Sequence, residues 1–190
     1  METYDILAAA ITTAEDIVRD LPLDRLTAPS PCSEWDVRAV LNHVLGTLWL
    51  ADGMFADRAP RHAIQPGGLP DTDLAGDDPA TAFKEAAAAA LASARIEGTL
   101  TRVHHTPIGD MPGPVLAGFT ALDLVVHGWD MAHAADLPIA VPDDLLAYVS
   151  EFAQQAVNES IRGHLVGPAV AVPESAPMLD RLIGHMGRTP

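Results

Sequence analysis

A chain of 190 residues with 48% hydrophobic and 19% charged residues has the apolar content of one packed domain and not that of a disordered segment. Its net charge of -15 excludes the clustered Lys and Arg that phosphate binding needs, so no nucleic-acid partner is expected, nor attachment to an anionic membrane surface. No apolar run reaches the roughly 18 residues of a membrane span. No basic region followed by an apolar segment opens the chain, and the single cysteine, Cys32, fits a reducing, cytoplasmic compartment.

Over residues 3–20, Leu7, Ile11, Ala14, Val18 and Leu21 recur at helical spacing with Asp and Arg opposite, which predicts an amphipathic helix stopped by Pro22. The linker Thr27-Ala28-Pro29-Ser30-Pro31 cannot be helical. Ser33-Glu34-Trp35-Asp36 reads as a capping box. The helix it opens runs to about Ala56 on a stripe of Val37, Val40, Leu41, Val44 and Leu48, with His43 at the stripe's edge. Residues 57–77, rich in Pro, Gly, Asp and Arg, form a long loop of the kind that covers sites.

Asp78-Pro79 supplies an N-cap and a first-turn proline for a helix over 80–96, with Phe83, Ala87, Leu91 and Ala94 on one face and Gly98 beyond its end. Leu100-Thr101-Arg102-Val103-His104-His105 alternates as a short strand would, and Ile108-Gly109-Asp110-Met111-Pro112-Gly113 reads as its turn. A fourth helix covers 115–135 and ends at Asp136-Leu137-Pro138. A fifth starts at Val141-Pro142-Asp143 and runs to about Arg162 with Leu146, Val149, Ala153 and Ala156 inward. The remainder is loop, an extended Ala169-Val170-Ala171-Val172 and a short helix over 178–186. The expected fold is all-α: a helical bundle over 1–163 with a tail, 164–190, packed on it as one domain, monomeric or homodimeric.

Chemistry concentrates in Leu122-Asp123-Leu124-Val125-Val126-His127-Gly128-Trp129-Asp130-Met131-Ala132-His133. The segment is apolar on almost every side and so belongs in a core, yet Asp123, His127 and Asp130 share one stripe, extended by Phe119 and Thr120. Buried acids and imidazoles need partners. Asp123 and His127 either satisfy each other or form two arms of a metal site whose third arm is His43 from a facing helix, with a position left open for water or substrate. Spacing alone leaves both readings standing, because Asp-x-x-x-His is common.

Asp130 either orients an imidazole N–H or bonds Trp35 or a backbone amide, the structural role being favoured. His133 is expected to be partly exposed near Trp129, while His62, His164 and His185 are expected at the surface. His104 or His105 could approach the site from an irregular segment. Cys32 precedes a helix N-terminus, where a thiolate is stabilised, although a small packed residue is the plainer reading. Trp35, Trp49 and Trp129 read as core aromatics, one of which could wall a pocket.

Ser33-Glu34-Trp35-Asp36-Val37-Arg38 with Leu41-Asn42-His43-Val44, and the stretch from Leu122 to Asp130, closely resemble the two motifs of the DinB-like, mycothiol-dependent maleylpyruvate isomerase type of metal-binding domain. The Met111-Pro112-Gly113 turn and the Leu179-Asp180-Arg181-Leu182 ending are similar to those of its single-domain actinobacterial members, which are mostly uncharacterised. The resemblance implies a four-helix up-down bundle and one divalent metal, usually zinc, held by a His on the second helix and a Glu-x-x-x-His on a later one. His43 and His127 match those histidines, and Asp123, a methylene shorter, stands where the isomerases have Glu. The family's characterised members are implied to use a small thiol such as mycothiol, whose sulfur binds the metal and attacks an electrophile. The expected function is therefore a metal-dependent thiol transferase or isomerase-like enzyme. Isomerisation of maleylpyruvate itself is not expected, because the isomerases carry a further C-terminal domain where this sequence has a short tail. The alternative is a non-catalytic metal- or ligand-binding bundle serving as sensor, carrier or partner protein. Coordination separates the two: an open position suits an enzyme, and a fourth protein ligand suits a structural ion.

Overall fold

The computed structural model describes residues 1–33, 35–62, 64–65, 68–106, 109–158, 162–163 and 166–190. Glu34 of the expected capping box, Ile108 of the expected turn and His164 lie outside the described residues. The chain is mostly helical with one two-stranded sheet and falls into two compact units, Met1–Ile139 and Ala140–Pro190. No helix among the described residues is long and apolar enough to cross a membrane.

In the first unit, α1 (Thr3–Asp20) turns its Leu7, Ile11, Ala14 and Val18 stripe inward, and a 3-10 turn follows Pro22. The approach to α2 (Val37–Phe55) is extended: Val37 N–H donates to Ala28 O and Arg38 N–H to Leu26 O. The helix is capped by Asp36, whose side chain accepts from Ala39 N–H at 2.8 Å. The capping box read at Ser33 is corrected accordingly, because the acceptor nearest the first apolar residue takes the cap. Val37, Val40, Leu41, Val44 and Leu48 are fully buried. Helix α3 (Pro79–Ala94) is capped by Asp78 and buries Phe83, Ala87, Ala90 and Ala94.

Strand β1 (Val103–Thr106) pairs antiparallel with β2 (Gly109–Pro112), so the segment read as a turn is itself half strand. Gly113 follows at once as the first residue of α4 (Gly113–Ala134), on every side of which apolar residues are buried. Helix α1 packs on α3 and α4, and α2 packs on α3 and α4.

The described residues of 57–77 lie along α2 as a fastened strap rather than a free loop. At one end Arg58 forms a bidentate pair with buried Asp52 (2.7 and 2.6 Å), whose Oδ1 also accepts from Ser93 on α3 at 2.6 Å. Gly53 makes room there, because a Cβ on it would sit 2.9 Å from the Pro60 Cα. At the other end Asn42 Oδ1 accepts from Leu74 N–H and Ala75 N–H, while its amide donates to Asp73.

In the second unit α5 (Asp143–Ala156) and α6 (Met178–His185) pack together. Leu145, Val149 and Ala153 face inward, so Leu145 holds the place expected of Leu146. Helix α5 ends at Ala156, short of Arg162, because Val157 leaves helical torsions at ψ 84. No strand forms over 169–172, although Val170 N–H donates to Gly184 O at 2.8 Å.

Candidate metal centre

Helix α2 carries His43 and the facing α4 carries Asp123 and His127 one turn apart, so the packing of two helices assembles all three. One donor atom from each lies within 4.8 Å of the other two. His43 Nε2 is 2.9 Å and His127 Nε2 is 3.6 Å from Asp123 Oδ1. The side chains are 17%, 11% and 23% exposed for His43, His127 and Asp123, deep enough to strengthen electrostatics and open enough to reach from outside.

The outer nitrogens fix the tautomers. His43 Nδ1 is 2.6 Å from the Gly68 carbonyl oxygen, which can only accept, so Nδ1 carries the hydrogen. His127 donates from Nδ1 to Asp130 Oδ2 at 2.9 Å. In the neutral imidazoles both Nε2 atoms then turn towards the Asp123 carboxylate, an arrangement that a shared proton or a cation would satisfy. Asp123 Oδ2 is buried and has no direct hydrogen-bond partner among the described residues. The donor set of two imidazoles and a carboxylate is one that zinc accepts.

Gly68 reaches His43 with a positive φ of 86°, and a Cβ there would stand 3.3 Å from His43 Nδ1. Glycine is what lets the strap bring a carbonyl this close. Trp35 lies against both imidazoles, its ring centroid 5.0 Å from that of His43 and 5.9 Å from that of His127, and walls the site.

Burial pushes the Asp123 carboxyl up, but the charged imidazoles of His43 and His127, with help from Thr47, outweigh it and hold the pKa at about 2. A lowered carboxyl pKa adds stability that is present above the ordinary value near 3.8 and is lost as pH falls towards 2. Metal-free protein should therefore lose about 2 kcal/mol from this group between pH 4 and pH 2. Urea unfolding across that window should show a decline that is smaller by this amount in Asp123→Asn.

The other singled-out residues are placed as follows. Asp130 is fully buried and its Oδ2 accepts from His127 Nδ1. Cys32 falls beside His127 and Asp130, one donor atom of each within 4.8 Å of the others. His133 is exposed and stacked on Trp129 at 4.7 Å. His104 is buried and its Nε2 donates to Thr99 O, while exposed His105 pairs with Asp110; neither joins the group around His43. His62 meets Trp49 edge-on, and His185 is half-buried against Arg162. Sequence spacing had no means of finding the Gly68 carbonyl, since a backbone oxygen leaves no mark in a sequence.

Residues 7–132, which include α2, all but the last two residues of α4 and all three donor residues, match the family model described as the mycothiol maleylpyruvate isomerase N-terminal domain. The chain belongs to this family. Among its relatives are two uncharacterised proteins of Mycobacterium tuberculosis, from the CDC 1551 and H37Rv strains. Each is 28% identical over 177 residues, which cover 91% of this chain and 90% of the relative. No solved structure gives a significant match. As a member of the mycothiol maleylpyruvate isomerase N-terminal domain family, the chain has its matched segment entirely within the first compact unit.

Proposed function

We propose that the first unit is an up-down four-helix bundle holding one divalent metal, zinc by its donor set, on His43, Asp123 and His127. We propose further that the protein is a metal-dependent enzyme of thiol transferase or isomerase-like type, using a low-molecular-weight thiol of the mycothiol kind against an electrophile. The observation that supports the metal best is that one donor atom each of His43, Asp123 and His127 lies within 4.8 Å of the other two. The mutual packing of α1 to α4 supports the bundle. Family membership supports the thiol.

A bound zinc ion would lower the pKa of a thiol at its open position and polarise an electrophile beside it. The chain's own groups do the holding. Gly68 O and Asp130 keep the two imidazoles in the tautomer that offers Nε2. Trp35 keeps water from one side of the rings. The strap, tied down by Asn42 and Arg58, fixes where Gly68 sits.

Calorimetric titration with mycothiol tests the reading. Zinc-loaded protein should bind the thiol and chelator-stripped protein should not, and an electrophile screen with that thiol follows. Equal binding by both forms, or none by the loaded one, would contradict it.

A further inference from the structure

Two donor groups share His127. Behind the site proposed for zinc, one atom each of Cys32, His127 and Asp130 lies within 4.8 Å of the others, a sulfur, nitrogen and oxygen set. Asp130 is fully buried, His127 nearly so, and Cys32 is half-buried, so the set is reachable from the Cys32 side. Its geometry is held from outside: Cys32 N–H donates to Ser30 Oγ at 3.2 Å, and Trp35 N–H donates to Cys32 O at 3.1 Å. Asp130 Oδ2 lies 2.9 Å from His127 Nδ1, the ring nitrogen other than the Nε2 that faces Asp123.

We infer that Cys32, His127 and Asp130 form a second cation site, selective for soft, thiophilic divalent ions, and that it excludes occupancy of the first because the two compete for one imidazole. Thiolate favours soft ions, whereas the nitrogen and oxygen set around His43 suits borderline ones. The switch is the tautomer of His127. With hydrogen on Nδ1, donated to Asp130, Nε2 serves the set with His43 and Asp123. With hydrogen on Nε2, directed at Asp123 Oδ1 3.6 Å away, Nδ1 serves Cys32 and Asp130. Binding is balanced by one proton: the Cys32 S–H bond breaks, a sulfur–metal bond forms, and the thiol proton leaves to solvent. Imidazolate is not required.

Cadmium is the probe. Chelator-stripped, reduced full-length protein is titrated with Cd2+ while thiolate-to-metal charge-transfer absorption is followed. Wild type and His43→Ala should both develop the band and saturate at one ion per chain. Cys32→Ser should show no band, and His127→Ala, checked for folding by circular dichroism, should lose it at the same Cd2+ concentration. Excess Zn2+ should reduce the band in wild type more than in His43→Ala, which lacks the competing site. No band in wild type overturns the inference. So does a band that survives in folded His127→Ala, which would mean binding by the thiol alone, or one lost in His43→Ala, which would put the thiolate in the first site. Should His127→Ala fail to fold, Asp130→Asn takes its place with the same expected loss. Failure here leaves zinc binding at His43 untouched, because that is read from zinc content and not from the cadmium band.

Discussion

Asp123→Ala is expected to bind zinc at least about 100-fold more weakly than the wild-type chain, since even groups that only orient a ligand are worth 10–100-fold. The substitution removes the one anion among the three donors, together with the buried Oδ2, which has no direct hydrogen-bond partner among the described residues. The two imidazoles would remain, held by Gly68 and Asp130, but their Nε2 atoms would face each other with no carboxylate between them. Competition against a chromophoric chelator measures the affinity, with circular dichroism confirming the helices. An unchanged affinity would reduce Asp123 to a hydrogen-bond partner of His43. Asp123 is the informative position because an aspartate stands there where the isomerases are implied to have the longer glutamate. The 2.9 Å separation from His43 Nε2 shows that the shorter side chain still reaches the facing helix.

The largest effect on stability is expected at the far end of the same helix. Arg58→Ala would leave the Asp52 carboxylate, 1% exposed, with Ser93 as the remaining partner described for it. Leaving a buried carboxylate without its half-exposed cation is costly, and about 3 kcal/mol is expected here. That corresponds to a melting temperature lower by about 10 °C for a chain of this size. The double variant Arg58→Ala with Asp52→Asn should recover part of the loss, because the uncompensated charge is gone. If the double variant melts no higher than Arg58→Ala alone, the cost lies in the strap's packing on Gly53 and not in the charge.

Helix periodicity was the most legible feature of the sequence. Every apolar position read on α1 and the first half of α2 is buried, because those stripes have one face to satisfy and no competing local signal. Ends were less legible. Nothing between Gln154 and Asn158 forbids a helix, and α5 stops there through torsions that tertiary context imposes on Val157. At Ser33 a good capping pattern lost to Asp36 because Trp35 N–H closes a turn on Cys32 O, so that Ala39 N–H meets the Asp36 side chain. The first strand of the hairpin was legible from its alternation, whereas β2 was not, because Gly109, at φ 115, reads as turn although it and the residues after it pair with β1.

The candidate site was legible in part. His127 and Asp123 announce themselves by helical spacing, and His43 by the motif around it, but 80 residues separate His43 from Asp123 and only folding joins them. The tautomer-fixing carbonyl of Gly68 and the position of Cys32 behind His127 come from chain crossings that carry no local pattern. The strap's length marked it as functional. Its fastening by Asn42, next to His43 in sequence, ties the strap to the same helix that carries the histidine.

The most direct measurement is elemental analysis of the untagged, full-length protein purified without added metal, beside His43→Ala prepared in the same way. Wild type should carry about one divalent ion per chain, zinc foremost, and folded His43→Ala should carry almost none. Equal metal content in the two proteins would contradict the site at His43, Asp123 and His127.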